Sequence, residues 1–378
     1  MQRVKFVDLG KQYMKLRKEI IPKFDEISKK GAYILSEEVE EFEKNFAEYC
    51  GTRYAIGVGN GSDALYMSLL SLGIGHGDEV ITAPNSFIAT AWVIARTGAR
   101  IVFVDAGEDM NIDPKLIEPA ISEHTKAIIP VHLTGRVADM NAIQTIADKH
   151  NLFIVEDAAQ AVGAEYEGKR AGSFGICGGF SLHPLKNLHV HGDGGVITTN
   201  DNALFETLMK CRNHGLKNRD ECEFWGINSR LDSIQAGIAN IKLKYLDEWN
   251  KRFRQIANIY TEALEDYVKV PKENNYEVPI YHRYMIRYSG RDDLQKFLDD
   301  NGIETKVNYP VPLHLQPAAA SLGYKKGDFP VTEKMAATIL SLPIYPELED
   351  DQIYYVIEKI HQFFKRKIIP ADNYRDRT

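Results

Sequence analysis

The chain has 378 residues, of which 44% are hydrophobic and 26% are charged; this balance allows a sizeable core and excludes a globally disordered protein. The net charge of −7 at pH 7 argues against non-specific binding of nucleic acid. No apolar run approaches the ~20 residues that span a bilayer, and the polar N-terminus lacks the apolar segment of a signal peptide, so we expect a cytoplasmic protein that binds neither membranes nor nucleic acid.

The first half of the chain predicts helices and then a regular alternation of strands and helices. Residues 20–49 indicate two amphipathic helices separated by a break at Gly31, with Val39, Phe42 and Phe46 on one face of the second. Strands are predicted at 54–58, 79–83, 100–104, 127–131, 153–156, 179–182 and 196–199, and helices at 64–72, 89–97, 114–122 and 139–150. Such alternation is typical of a largely parallel sheet covered by helices on both faces.

The pattern becomes mainly helical from about Asp232. Residues 233–267 form a nearly uninterrupted run of helix-forming residues, followed by a predicted strand at 278–288 and helices at 292–301 and 350–366. Two domains are common in a chain of this length. We therefore expect a large α/β domain at residues 1–245 and a smaller α+β domain at residues 246–378.

The first candidate site is the segment GNGSD at residues 59–63, which follows a predicted strand and opens a helix. Backbone N–H groups at a helix N-terminus and a small hydroxyl such as that of Ser62 bind anions, and Gly61 would let the backbone approach a phosphate closely. The segment is equally compatible with a plain turn in which Asn60 caps the helix.

The second candidate site lies directly after the apolar strand that ends near residue 156. Glu156 and Asp157 would be poorly solvated there, and a buried carboxylate needs a cationic or hydrogen-bonding partner. The protonated pyridine nitrogen of pyridoxal phosphate is such a partner, and Gln160 could reach the O3′ of the same ring. The alternative is that the acid caps a helix.

The third candidate site is the non-helical segment SLHPLKN at residues 181–187. Lys186 follows a predicted strand, and a lysine near a cofactor aldehyde forms a Schiff base, which desolvation favours by lowering the pKa of the amine. Ser181 could donate to a phosphate, or could be an ordinary strand residue.

The histidines near this segment do not favour a metal site. His183, His189 and His191 are close in sequence, and a glycine-rich turn follows, but no carboxylate–histidine pattern of known ligand spacing accompanies them. The four cysteines also lack a Cys-x-x-Cys pair, so we expect free thiols in a reducing compartment.

Taken in order, these segments resemble a known family. The motifs are FVDLGKQY, GNGSDAL, PNSFIAT, PVHLTG, EDAAQA, FSLHPLKN, GDGG, GINSRLDSIQA and YPVPLHLQPA. Their order and spacing over nearly the whole chain are similar to those of the DegT/DnrJ/EryC1/StrS sugar aminotransferases. The resemblance implies the fold type I of pyridoxal-phosphate-dependent transferases: a large domain with a mostly parallel seven-stranded sheet flanked by helices, and a smaller C-terminal α+β domain.

The resemblance also implies a role for each motif residue. Lys186 would carry the cofactor and transfer protons, Asp157 would pair with the pyridine nitrogen, and Gln160 would bind O3′. The remaining cofactor-binding residues would be Phe87, stacked on the ring, Gly61 and Ser62 as phosphate donors with Asp63 adjacent, and Ser181 with its hydroxyl. Asn228 would reach the phosphate of a neighbouring subunit in a homodimer with shared active sites. The candidate substrate contacts are His183, Tyr309 and His314, of which the last two could equally be structural loop residues.

The implied reaction moves an amino group from L-glutamate to a 3-keto or 4-keto hexose linked to dTDP, UDP or GDP, while pyridoxal phosphate cycles through pyridoxamine phosphate. The product would be an amino sugar for a surface polysaccharide or a glycosylated metabolite. Alternatives are a sugar dehydratase, a cyclitol aminotransferase, or a regulator that binds the cofactor without turnover. Lys186 disfavours dehydration because the related dehydratases carry histidine there. Thr134, His189 and His191 depart from common family residues, which leaves the sugar open.

Overall fold

The computed structural model describes residues 2–368, which form two lobes with twelve strands and twelve α-helices. The strands are β1 (Tyr54–Val58), β2 (Glu79–Thr82), β3 (Arg100–Phe103), β4 (Thr125–Ile129), β5 (Phe153–Asp157), β6 (Glu165–Tyr166), β7 (Lys169–Arg170), β8 (Cys177–Ser181), β9 (Gly195–Thr199), β10 (Glu277–Val278), β11 (Tyr284–Arg287) and β12 (Ile339–Leu342). The helices are α1 (Leu9–Lys30), α2 (Glu37–Cys50), α3 (Gly61–Ser71), α4 (Ile88–Thr97), α5 (Pro114–Ile117), α6 (Met140–His150), α7 (Asn202–Cys211), α8 (Ser233–Leu243), α9 (Leu246–Leu264), α10 (Arg291–Asp300), α11 (Pro330–Thr338) and α12 (Asp350–Ile368).

A seven-stranded sheet forms the centre of the large lobe, with strand order β1-β9-β8-β5-β4-β2-β3. β9 runs antiparallel to both of its neighbours, and the other pairs are parallel. The prediction of a mostly parallel seven-stranded sheet is therefore confirmed. Because β1, β5 and β8 point the same way, the residues that follow them meet at one edge, where ligands bind in open α/β sheets.

The N-terminal helices cover part of this sheet. α1 ends at Gly31, which has a φ of 66° and can adopt this left-handed conformation without strain, so the predicted break between the two helices is confirmed. The predicted apolar face of α2 is buried, and Phe46 meets Phe180 of β8 with ring centroids 5.0 Å apart. α1 begins at Leu9, earlier than the periodicity indicated, because Asp8 caps it by accepting from the N–H of Lys11.

The smaller lobe has its own hydrophobic core, in which α9, α10 and α12 pack around the hairpin of β11 and β12. The predicted helix at 233–267 is two helices, since the chain turns at Lys244 and Tyr245 as it passes from the large lobe to the small one. The predicted strand at 278–288 is also divided. Pro279 cannot donate a ladder hydrogen bond, and Tyr281 has a φ of 50°.

The two lobes exchange segments. Val4 packs in the core of the small lobe and pairs with Ile303, whereas Leu313 and Phe329 pack in the core of the large sheet. The predicted boundary between the two domains at residue 245 stays a prediction. Residues 1 and 369–378, which the predicted domains include, lie outside the described residues. None of the helices in residues 2–368 is long and apolar enough to cross a membrane.

Candidate active site

A cavity of about 400 Å³ lies at the carboxyl edge of the large sheet and extends to the small lobe. Most of the predicted site residues line it, namely Gly61, Ser62, Phe87, Asp157, Gln160, Ser181, His183, Lys186 and Tyr309. The sheet therefore gathers residues that are separated by as many as 248 positions in the sequence (309 minus 61). A cavity of this size falls within the range of sites for small molecules.

One wall of the cavity is the turn from β1 into α3. Asn60 caps α3 by accepting from the N–H of Asp63 at 2.8 Å, so the helix N-terminus opens at Gly61. A Cβ atom on Gly61 would lie 2.7 Å from the Cβ of Ser181, a separation that real side chains do not adopt. Glycine is therefore required for this turn to pack against the end of β8, where Ser62, Ser181 and the helix N-terminus offer hydrogen-bond donors of the kind that suit an anion.

Asp157 lies at the end of β5 and is buried in the cavity wall. Its Oδ2 accepts from Oγ1 of Thr90 at 2.7 Å, and its Oδ1 accepts from the N–H of Ala159 at 3.2 Å. Burial raises the pKa of this carboxyl, although both hydrogen bonds and the charge of Lys186 favour the ionised form. These hydrogen-bond partners are neutral, so a cation bound beside Asp157 would stabilise the carboxylate.

The amide of Gln160 is oriented by the backbone. Its Oε1 accepts from the N–H of Thr134 at 2.8 Å, which leaves Nε2 directed towards the hydroxyl of Tyr309 at 3.4 Å. Burial raises the pKa of Tyr309 to about 12, so its hydroxyl stays protonated. Phe87 lies at the start of α4, about half exposed, with its ring centroid 5.7 Å from that of Tyr309.

Lys186 lies in a tight turn after β8. Its N–H donates to the carbonyl of His183 at 2.8 Å, and its carbonyl accepts from Nδ1 of His189 at 3.0 Å. Burial lowers the pKa of Lys186 to about 8; Asp157 opposes this change and Arg283 adds to it. A useful fraction of the amine is therefore neutral near pH 7, as a nucleophilic lysine requires.

Three predicted site residues lie away from this cavity. Asp63 accepts from the hydroxyl of Ser229 at 2.6 Å, Asn228 forms a backbone bridge with Asn213, and the buried ring of His314 lies 3.1 Å from Glu333. These contacts fix neighbouring loops within the subunit. In this chain none of the three contributes to the cavity wall.

The cavity also contains residues to which the sequence analysis assigned no cofactor or substrate contact. They are Asn60, Leu65, Ser86, Ala89, Thr90, Val131, Ala159, Leu185, Asp193, His282, Arg283 and Asn308. Thr90 falls within the PNSFIAT motif, three positions after Phe87, and so faces the same way on a helix. His282 and Arg283 could have been found because they form a basic pair inside a predicted strand whose other residues are mostly apolar.

Glu156, the acid beside Asp157, points to the other face of the strand. Its carboxylate accepts from the N–H groups of Gly172, Phe174 and Gly175, and it lies 2.9 Å from Nε2 of His132. These contacts fix the turn that precedes β8. In residues 2–368 no group of three or more histidines, cysteines and acids is arranged to hold a metal ion.

Comparison with known proteins identifies the family. The model of the DegT/DnrJ/EryC1/StrS aminotransferase family matches residues 14–361. The chain belongs to this family. It is 48% identical to a "Pleiotropic regulatory protein" of Geobacillus stearothermophilus, with 96% of this chain and 99% of that one covered. It is 42% identical to the dTDP-3-amino-3,4,6-trideoxy-alpha-D-glucose transaminase of Streptomyces venezuelae, with 96% and 97% covered.

A solved structure of NtdA from Bacillus subtilis, with bound pyridoxamine phosphate, superposes with a TM-score of 0.91 at 30% identity over 97% of this chain and 86% of that one. Pyridoxal phosphate, cycling with pyridoxamine phosphate, is the cofactor of this DegT-family protein. The chain's own residues fit it: Lys186 supplies an amine, Asp157 a buried anion, and the N-terminus of α3 a phosphate site. When bound, the cofactor supplies an electron sink at the carbon that exchanges its amino group.

Proposed function

We propose that this DegT-family enzyme transfers the amino group of L-glutamate to a nucleotide-linked 3-keto sugar. The observation that carries the proposal is the placement of Lys186 and the buried Asp157 in one cavity beside the N-terminus of α3. The transaminase of Streptomyces venezuelae, named for a dTDP-linked 3-amino sugar, supports a nucleotide sugar and amination at C3. The amino sugar would serve a surface polysaccharide or a glycosylated metabolite.

Several of the residues that line the cavity have definite tasks in this proposal. Lys186 holds the cofactor and then moves a proton at the carbon that gains or loses the amino group. Asp157, oriented by Thr90, keeps the ring nitrogen protonated, and Nε2 of Gln160 donates to O3′. Phe87 packs on the ring. His183 and Tyr309, which also line the cavity, are proposed to contact the sugar.

The proposal is tested with purified protein loaded with pyridoxamine phosphate. We expect amino transfer to a 3-keto hexose linked to dTDP, UDP or GDP, detected by mass spectrometry of the sugar product and by the return of the aldehyde absorbance. A 4-keto hexose and a cyclitol ketone are the comparison substrates. Dehydration without amino transfer, or turnover of the cyclitol alone, would contradict the proposal.

Exposed apolar residues, two of which line the cavity, support a homodimer. Phe87, Ile88, Trp92 and Leu185 are 42–53% exposed, and Trp225, three positions before Asn228, is 91% exposed. A second copy of the chain would cover these side chains and would bring its Asn228 to the phosphate of the neighbouring site. Light scattering in solution is expected to give twice the mass of the chain.

The name of the Geobacillus relative raises a regulatory alternative, a protein that binds the cofactor without turnover. The complete set of Lys186, Asp157 and Gln160 favours catalysis, because binding alone does not require a neutral amine at the reacting carbon. We also propose a cytoplasmic location. All four cysteines are unpaired, as is usual in a reducing compartment.

A further inference from the structure

Arg283 is a buried cation in the active-site cavity, and it has no acidic partner in the part of the chain that the structure describes. It directly precedes β11, is 7% exposed, and lines the cavity together with Lys186 and Tyr309. Its Nη1 donates to the carbonyl of His282 at 3.2 Å, and its guanidinium lies 5.0 Å from the ring centroid of Phe6. The side chain is thus held in place from its backbone side and by the N-terminal segment.

The guanidinium is charged but uncompensated. Burial lowers the pKa of Arg283 to about 10, so it stays protonated at neutral pH, and no carboxylate within residues 2–368 forms an ion pair with it. Buried arginines are normally paired with carboxylates or phosphates, because an isolated buried charge is costly. An anion that arrives with a ligand would supply the missing partner.

The surroundings of Arg283 indicate which anion this is. The cavity has few other cations: Lys186 holds the cofactor, and burial lowers the pKa of both His183 and His282 below the usual value. Arg283 lines the same cavity as Lys186 and Tyr309 and is buried, so it lies inside the cavity that holds the reacting amine rather than at its outer rim, and its charge helps to lower the pKa of Lys186.

The two substrates place their negative charges differently. In an α-amino acid, the carboxylate is bonded to the carbon that carries the reacting amine. In a nucleotide sugar, at least two ring carbons and the glycosidic oxygen separate a reacting C3 from the nearest phosphorus. A cation beside the reacting amine therefore matches the amino acid, and its planar fork suits a carboxylate.

We propose that Arg283 binds the α-carboxylate of the amino-acid donor, an inference that rests on the proposed aminotransferase function. The site selects the donor by its carboxylate, and in the second half of the reaction it accepts the uncharged ring of the keto sugar. Arg283 is therefore a specificity-determining residue of the first half of the reaction only.

The experiment separates the two halves of the reaction. Protein loaded with pyridoxal phosphate is mixed with L-glutamate, with isoglutamine, in which the α-carboxylate is an amide, or with L-glutamine, in which the side-chain carboxylate is an amide. Loss of the aldehyde absorbance reports the first half. Protein loaded with pyridoxamine phosphate and a nucleotide-linked keto sugar reports the second.

We expect Arg283→Met to lower the efficiency of the first half with L-glutamate on the order of a hundredfold, and to abolish the preference for L-glutamate over isoglutamine. Arg283→Lys should recover part of the efficiency with L-glutamate and part of the preference for L-glutamate over isoglutamine. The rate of the second half should change by less than about threefold, because the ring of the keto sugar makes no charged contact with Arg283. Arg287→Met is the matched control: Arg287 ends β11, which Arg283 directly precedes, but it pairs with Glu108 outside the cavity.

A binding measurement that needs no turnover completes the test. Glutarate, a dicarboxylate without an amine, should bind the wild type and Arg287→Met in calorimetry, and bind Arg283→Met much more weakly, with melting curves that show all variants folded. Three results with Arg283→Met would overturn the proposal. They are a retained preference for L-glutamate over isoglutamine, a loss of the preference for L-glutamate over L-glutamine instead, and a larger loss of rate in the sugar half of the reaction than in the first half. If the wild type binds glutarate but transfers no amino group, the proposed function fails while the carboxylate site stands.

Discussion

At the scale of single residues, burial lowers the pKa of Lys186 and raises that of Asp157, so it favours the neutral form of both groups. Burial favours the neutral amine of Lys186, and it also disfavours the carboxylate of Asp157, which Thr90 and the N–H of Ala159 keep in place. The pair is therefore prepared for a ligand that needs a nucleophile at one end and a counter-ion at the other.

The lowered pKa of Lys186 predicts how the apoprotein takes up its cofactor. The neutral amine is the reactive form, so the rate of covalent incorporation should rise about tenfold per pH unit below pH ~8 and level off above it, instead of rising up to the usual lysine value near 10.5. Stopped-flow absorbance measures the rate. Lys186→Ala, with an unchanged circular dichroism spectrum, should form no borohydride-trapped adduct; an adduct in this variant would refute the assignment.

The pairing of Asp157 with the cofactor predicts graded losses. Asp157→Asn should lower turnover on the order of a hundredfold or more, because the ring nitrogen loses its charged partner. Thr90→Val should cost about tenfold to a hundredfold, since one hydrogen bond to the carboxylate is lost while the charge stays. Single-turnover rates measure both. Equal rates in wild type and Asp157→Asn would remove this role.

The sequence predicted the site residues that lie in a recognisable motif. It missed those that only folding brings into the cavity. Lys186, Asp157 and Gln160 follow strand ends, and their types indicate their tasks. His314 is different: its residue type fits a ligand contact, yet folding buries its ring against Phe329, beside Glu333. Which loop side chains turn inwards depends on packing across distant segments.

At the scale of secondary structure elements, the contact between the turn at Gly61 and the end of β8 shapes the anion site. The approach is close enough that any side chain at Gly61 would displace Ser181. The same packing contact thus positions the groups of α3 and β8 that we propose to bind phosphate.

This contact predicts a selective glycine effect. Gly61→Ala should destabilise the folded protein by about 1–3 kcal/mol through overpacking and should weaken cofactor binding. Gly75→Ala is the matched control, because a Cβ there would meet Thr97 at an ordinary 3.5 Å, and its effect should stay within about 0.5 kcal/mol. Chemical denaturation and cofactor titration measure both. Unchanged cofactor affinity in Gly61→Ala would exclude α3 as the phosphate site.

Element boundaries followed the local pattern best inside the sheet. β1 occupies the predicted residues 54–58, because a buried strand is an uninterrupted apolar run. The small lobe was less predictable: α11 and β12 were missed, and the long helix was not divided at Tyr245. There the chain passes between the hydrophobic cores of the large and the small lobe, and no local residue pattern indicates which of the two cores a segment joins.

At the scale of the whole molecule, Phe87 and Leu185 line the cavity and are about half exposed, whereas Asn228 does not line it. A site shared between two copies accounts for both features. The assembly would place one copy's Asn228 at the phosphate beside the other copy's Ser62 and Ser181.

Shared sites predict complementation between two defective chains. Mixing Lys186→Ala with Asn228→Ala in equal amounts should make half of the dimers mixed, each with one intact site of two, and should restore about a quarter of wild-type activity. Each variant alone should be nearly inactive. Activity assays after unfolding and refolding together measure the recovery, and no recovery would weaken the claim of shared sites.

The packing of Phe6 on the guanidinium of Arg283 gives the first residues of the chain an unexpected importance. This segment, joined to the small lobe through Val4, contributes nothing to the cavity wall, yet it braces the group that would recognise the donor. Removing the first few residues, or substituting Phe6 alone, would thus reduce the selectivity for the amino-acid donor, although these residues do not line the cavity, and would leave the sugar half of the reaction unchanged.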